Sequence, residues 1–103
     1  MFDDRVIDEA ARRLSAAAPG ARVILFGSHA RREAGARSDL DFLVVEPVVE
    51  DAAGESVRLR RTLRGLGIFA DIVVVSSAEA ERWKRMRGSL IHTALSEGRA
   101  LVA

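Results

Sequence analysis

Two aspartates, Asp39 and Asp41, flank a single leucine where the apolar run LDFLVVE (40–46) begins. Side chains two apart on a strand share a face, so both carboxylates project together with β-carbons roughly 6–7 Å apart. At an effective dielectric of about 20, two such charges repel by roughly 2–3 kcal/mol. Solvent can screen that repulsion, or a divalent cation can sit between the acids. Asp71 is a third acid at the head of another apolar run, and all three converge if the two strands are neighbours. Carboxylate donors without His or Cys select a hard cation, Mg²⁺ or Mn²⁺. Upstream, Gly27 and Ser28 close the apolar run ARVILF (21–26). A glycine leaving a strand lets the backbone approach a ligand, and Ser28 can cap a following helix whose free N–H groups attract anions. A phosphate held there beside a carboxylate-bound metal pair suits phosphoryl or nucleotidyl transfer.

The rest of the chain must position these residues, and it alternates helix and strand. Asp3 or Asp4 can cap a first helix with Val6, Ile7, Ala10, Leu14 and Ala17 on one stripe, stopped by Pro19-Gly20. A strand over 21–26 follows, then about two helical turns over 28–34, then a strand over 40–46 ended by Pro47. The spacing predicts a helix over 51–66, with Leu59, Leu63 and Leu66 inward and Arg60, Arg61 and Arg64 outward. FADIVVV (69–75) reads as a third strand, and Ser76 to Glu79 fits a capping box opening a fourth helix. SLIHTALSE (89–97) is a last helix with Gly98 placed for its C-cap, and ALV (100–102) is a stub of strand. Alternating elements without repeats or linkers imply one α/β domain over 1–103, a small mixed sheet flanked by helices. The connection over 27–39 is too short for a full crossover, so the first two strands are expected to be antiparallel or mixed.

The stretch GSHARREAGARSDLDFLVV resembles the signature of the minimal nucleotidyltransferases, within the polymerase-β-like nucleotidyltransferase superfamily. Its form is Gly-Ser, ten residues, Asp-x-Asp and a third Asp on a later strand, matched by Gly27, Ser28, Asp39, Asp41 and Asp71, with Ala30, Arg31 and Ser38 around them. The resemblance implies that Asp39 and Asp41 hold two Mg²⁺ ions and that Asp71 completes the site and helps deprotonate an acceptor hydroxyl. It implies ATP as substrate, its triphosphate resting on Gly27 and Ser28 with Arg31 within reach of the phosphates. Members of this size resemble the antitoxin of HEPN–minimal nucleotidyltransferase pairs, which moves AMP from ATP onto a tyrosine of the HEPN toxin. Kanamycin-type relatives carry a further helical domain that these residues do not show, which counts against a small-molecule alcohol as acceptor. A module that blocks its partner by contact alone is the rival from another class.

Composition bounds these readings. The absence of cysteine excludes disulfides, thiol catalysis and Cys-ligated zinc, and a net charge of +1 requires neither nucleic acid nor a membrane. No apolar run approaches a membrane span and the acidic start is unlike a signal peptide, so the cytoplasm is the default location. His29 and His92 lack metal-ligand spacing and read as structural or solvent-facing. Arg31 and Arg32 also suit plain surface positions. In ERWKRMRG (81–88), Trp83 and Met86 could face a protein or RNA. The preferred reading is an amphipathic helix tucking Trp83 into the core beneath a solvated basic rim.

Overall fold

The computed structural model describes residues 4–27 and 40–101. The elements run α1 (Asp4–Ala17), β1 (Arg22–Phe26), β2 (Leu40–Glu46), α2 (Ala52–Arg61), β3 (Ala70–Ser76), α3 (Ser77–Trp83), α4 (Leu90–Glu97) and β4 (Arg99–Leu101). The strands form one sheet in the order β3-β2-β1-β4. The β1–β2 and β1–β4 pairs are antiparallel and β2–β3 is parallel, so the sheet is mixed, as the short 27–39 connection demands. The expected helix over 28–34, with His29, lies outside the described residues.

Strict alternation along the strands builds two cores. Val23, Leu25, Leu40, Phe42, Val44, Ile72 and Val74 face α1 and α2, where Ile7, Ala10, Leu14 and Leu59 close the layer. Ile24, Phe26, Leu43, Val45 and Val75 face Ala80 of α3 and Ala94 of α4. The central strand β2 is therefore apolar on both faces, which explains the near-continuous run that encodes it. Each face buries enough Leu, Val, Ile and Phe, at about 1.5–3 kcal/mol per side chain, to hold its helices.

Local signals set the element ends. Asp51 caps α2 by accepting from Gly54 N, and Ser76 caps α3 by accepting from Glu79 N. The Ser76 hydroxyl also donates to Glu79 Oε1 at 3.3 Å, so the serine cap read from the sequence forms, with Glu79 turned back to the cap hydroxyl rather than to the Ser76 N–H. Ser89 caps α4 through His92 N. The α2 helix is shorter than the periodicity predicts, ending at Arg61 rather than residue 66. Thr62 Oγ1 bonds Leu59 O at 2.6 Å, and Gly65 turns the chain with φ +88, which no continuing helix allows. Leu63 still reaches the core from that turn. Gly98 does cap α4, but with extended backbone rather than a left-handed turn. Glycine is required there by contact, since a Cβ would lie 2.2 Å from Ala94 O and 2.6 Å from Ile24 Cγ2. Trp83 is only half-buried and outside both cores, and Met86 is exposed, so the tucked-in reading of that segment is corrected. His92 is structural: its Nδ1 lies 2.6 Å from Lys84 O and must donate to that carbonyl. Among the described residues no helix is long and apolar enough to cross a membrane.

Candidate active site

The sheet brings together three of the residues singled out by their chemistry. Asp41 on β2 is the register partner of Asp71 on β3, in a parallel pair whose strands lie about 4.8 Å apart. Both acids share the alternation of Leu43, Val45, Val73 and Val75, so they emerge on the face that carries α3 and α4. Across the antiparallel pair, Asp41 partners Phe26, the last residue of β1. The next residue, Gly27, turns away with φ +78.

Gly27 and Asp41 are in close approach. A Cβ on Gly27 would lie 2.6 Å from Asp41 Oδ2 and 3.5 Å from its Cγ. The Asp41 carboxylate thus occupies the space that any other side chain at position 27 would take. Two physical demands, a left-handed turn and a carboxylate against the backbone, select glycine here.

Asp71 is exposed and Asp41 half-exposed. Among the described residues the Asp71 side chain makes neither a hydrogen bond nor an ion pair. Two carboxylates in register, with no histidine or cysteine beside them among the described residues, form a donor set that fits a hard divalent cation. Among the described residues no group of three His, Asp or Glu side chains could hold a metal ion. Asp39, Ser28 and Arg31, which the sequence reading adds to the site, lie outside the described residues.

One neighbour of the site was misread from sequence. Phe69, assigned to the head of the third strand, precedes β3 and is 76% exposed. It lines a groove of about 290 Å³ with Arg60, Leu63, Arg64, Ile68, Ala70 and Asp71 itself. The signal was present in FADIVVV, where Phe69 falls in the same alternation as Asp71.

A second acidic group lies at the opposite end of β2 and β3, and sequence reading did not find it. Glu46, Glu55 and Arg58 line a groove of about 630 Å³ with Val48, Val49 and Asp51. Arg58 forks onto Glu55 with Nε to Oε1 and Nη2 to Oε2 both at 2.7 Å. That hydrogen-bonded guanidinium, with a bond from Glu46, holds the Glu55 carboxyl down at about 2. Burial first, then the Glu55 carboxylate beside it, pushes Glu46 up to about 7.

No curated protein matches this sequence. Among solved structures, the fold resembles a protein from Sulfolobus solfataricus described as a candidate nucleotidyltransferase, at 26% identity and a TM-score of 0.57, with 84% of each chain covered. Residues 7–100 match the profile of the nucleotidyltransferase domain, a span that includes Gly27, Asp41 and Asp71. The chain belongs to the nucleotidyltransferase domain family.

Proposed function

We propose that this nucleotidyltransferase moves AMP from ATP onto a tyrosine hydroxyl of a HEPN-type toxin and so acts as its antitoxin. The observation that carries the reading is the in-register Asp41–Asp71 pair with the Asp41 carboxylate against Gly27. The partner half of the reading rests on the resemblance of the Gly27-to-Asp41 stretch to minimal nucleotidyltransferases.

Asp41 and Asp71, with Asp39, would hold Mg²⁺, or Mn²⁺ in its place. When bound, the ion supplies charge neutralisation to the triphosphate and the departing pyrophosphate. The lack of a side chain at Gly27 lets the Asp41 carboxylate sit against the backbone at the end of β1, where it would hold the ion beside the triphosphate. The acceptor oxygen bonds to the α-phosphorus, and the bond from that phosphorus to the oxygen bridging to the β-phosphate breaks. Pyrophosphate leaves with the electron pair. Asp71, exposed and unpartnered among the described residues, takes the hydroxyl proton.

The test is intact-mass analysis of a HEPN-type protein after incubation with this chain, ATP and Mg²⁺. One or more AMP masses should appear on the toxin at a hydroxyl residue, and its activity should fall. With Asp41→Ala neither change should occur. If that variant silences the toxin without a mass change, inhibition by contact is the function.

A further inference from the structure

Asp71 belongs to two surfaces at once. On one side it stands in register with Asp41, and on the other it closes the groove formed by Arg60, Leu63, Arg64, Ile68 and Phe69. We propose that this groove docks the acceptor protein through an acidic segment with an apolar side chain, which delivers the acceptor hydroxyl to Asp71. The inference rests on the proposed transfer reaction and adds the surface and chemistry by which the second substrate is recognised.

Charge is the first argument. Arg60, Arg61 and Arg64 are exposed and, among the described residues, their side chains make no ion pair. Other arginines nearby are committed: Arg58 forks onto Glu55, and Arg13 bonds Glu9. Arg60 and Arg64 line the groove, and guanidinium groups on one groove favour carboxylates, which they bind in a planar fork.

Shape is the second. Phe69 stands 76% exposed beside a floor containing Leu63 and Ile68, so an apolar side chain entering the groove finds an aromatic wall. A volume of about 290 Å³ is at the lower limit for a small-molecule site and suits one or two side chains of a larger partner.

The groove is also fixed in advance. Arg13 Nη1 donates to Thr62 O at 3.2 Å and Arg64 O at 2.9 Å, tying the turn after α2 to α1. Leu40 N donates to Phe69 O at 2.9 Å, tying the wall to the start of β2. A surface held this way loses little freedom on docking. The rival basic patch around Trp83 and Met86 is badly placed for delivery. It spans the end of α3, which is capped by Ser76 at the end of β3 remote from Asp71, and Glu81 there feels the charge of Arg22, the partner of Val45.

The probe is a fluorescein-labelled random copolymer of glutamate and tyrosine, compared by anisotropy with a lysine–tyrosine copolymer and with oligouridylate. All are measured with Mg²⁺ and a non-hydrolysable ATP analogue. The glutamate–tyrosine copolymer should bind at least about tenfold tighter than either. Arg60→Glu/Arg64→Glu should reverse the preference between copolymers, Arg60→Ala/Arg64→Ala should remove it, and Phe69→Ser should weaken binding. Unchanged melting temperatures would show that the variants fold. Equal binding of the two copolymers, tighter binding of oligouridylate, or retained preference in the charge-reversed variant overturns the proposal. Transfer is read separately with α-labelled ATP. Docking that is lost in the charge-reversed variant but gives no labelled tyrosine upholds the groove and overturns the transfer reading.

Discussion

Each end of the β2–β3 pair carries acids, and the two ends treat them in opposite ways. At one end Glu46 is turned inward, Glu55 is locked onto Arg58, and Arg58 Nη2 also reaches Ala17 O at 2.8 Å. Those charges hold α2 against the end of α1. At the other end Asp41 and Asp71 stand in register without a basic residue ion-paired to Asp71 among the described residues. The groove at the Glu46 end is the larger, about 630 Å³ against about 290 Å³, yet its Glu55 and Arg58 already pair with each other, and among the described residues Glu46 Oε2 is buried without a hydrogen-bond partner. Size does not identify the site. Two like charges set in register on accessible strand ends do, because folding gains nothing from placing two carboxylates side by side.

The largest break in this comparison should come from Asp41→Ala. Mg²⁺ with a non-hydrolysable ATP analogue at a hundredfold excess over its dissociation constant should stabilise the native protein by roughly 2.7 kcal/mol. The variant should lose that gain in a thermal melt and lose AMP transfer with it. The ligand-free variant should still fold and melt cooperatively, because the substitution relieves repulsion with Asp71 and leaves both cores intact. Ligand stabilisation that survives in Asp41→Ala would remove this end of the sheet from nucleotide binding.

Asp71→Asn keeps the shape and removes the basic oxygen. Transfer should fall by about 10²-fold, the scale of a lost general base, while Mg²⁺-ATP affinity falls much less. The separation between rate and affinity is the useful readout. Near-native transfer would make Asp71 a strand-opening residue only, like the many acids that start strands.

How much of this was legible in the sequence depended on how far each signal reached. The 40–46 strand was readable to the residue because both its faces are buried and Pro47 ends it. The convergence of Asp41 and Asp71 was readable only as a condition on strand order, and the parallel register meets that condition. The short end of α2 was missed because Leu63 keeps the helical spacing from a turn, where periodicity cannot distinguish the two. The Glu46–Glu55–Arg58 cluster was invisible because its members lie on two elements and meet only through packing. Gly27 was read as a close-approach glycine for a ligand, but the structure shows that its first neighbour is Asp41 itself.

That contact gives a finer test. Gly27→Ala places a Cβ in a left-handed backbone conformation, which costs about 1–2 kcal/mol, and 2.6 Å from Asp41 Oδ2. The carboxylate must move, so nucleotide affinity should drop together with melting temperature. Combining Gly27→Ala with Asp41→Ala should recover the steric part and leave the backbone part, a non-additive cycle with coupling above about 0.5 kcal/mol. Strict additivity would show that the glycine serves the turn alone.

The smallest expected effect belongs to the opposite end and serves as its control. Glu46 is held near 7 where an ordinary glutamate titrates at 4.5, so between those values the folded chain keeps a proton that the unfolded chain releases. Its contribution is full below about 4.5 and is lost as pH rises through about 7. Glu55 acts in the other sense, since a carboxyl held at about 2 contributes above 4.5 and is lost as pH falls through 2. The native protein should therefore lose stability to Glu46 as pH rises from 4.5 to 7, by about 1 kcal/mol at most once solvent screening is allowed for. Glu46→Gln stays neutral throughout and its amide can still donate to Glu55. It should flatten the melting temperature across that window and raise it by a few degrees at pH 8. Mg²⁺-ATP stabilisation should be untouched, because Glu46 lies five residues along β2 from Asp41, roughly 17 Å by strand rise. A Glu46→Gln variant that keeps the native pH slope would show that the buried carboxyl is already ionised, and a loss of nucleotide binding would show that the two ends are not independent.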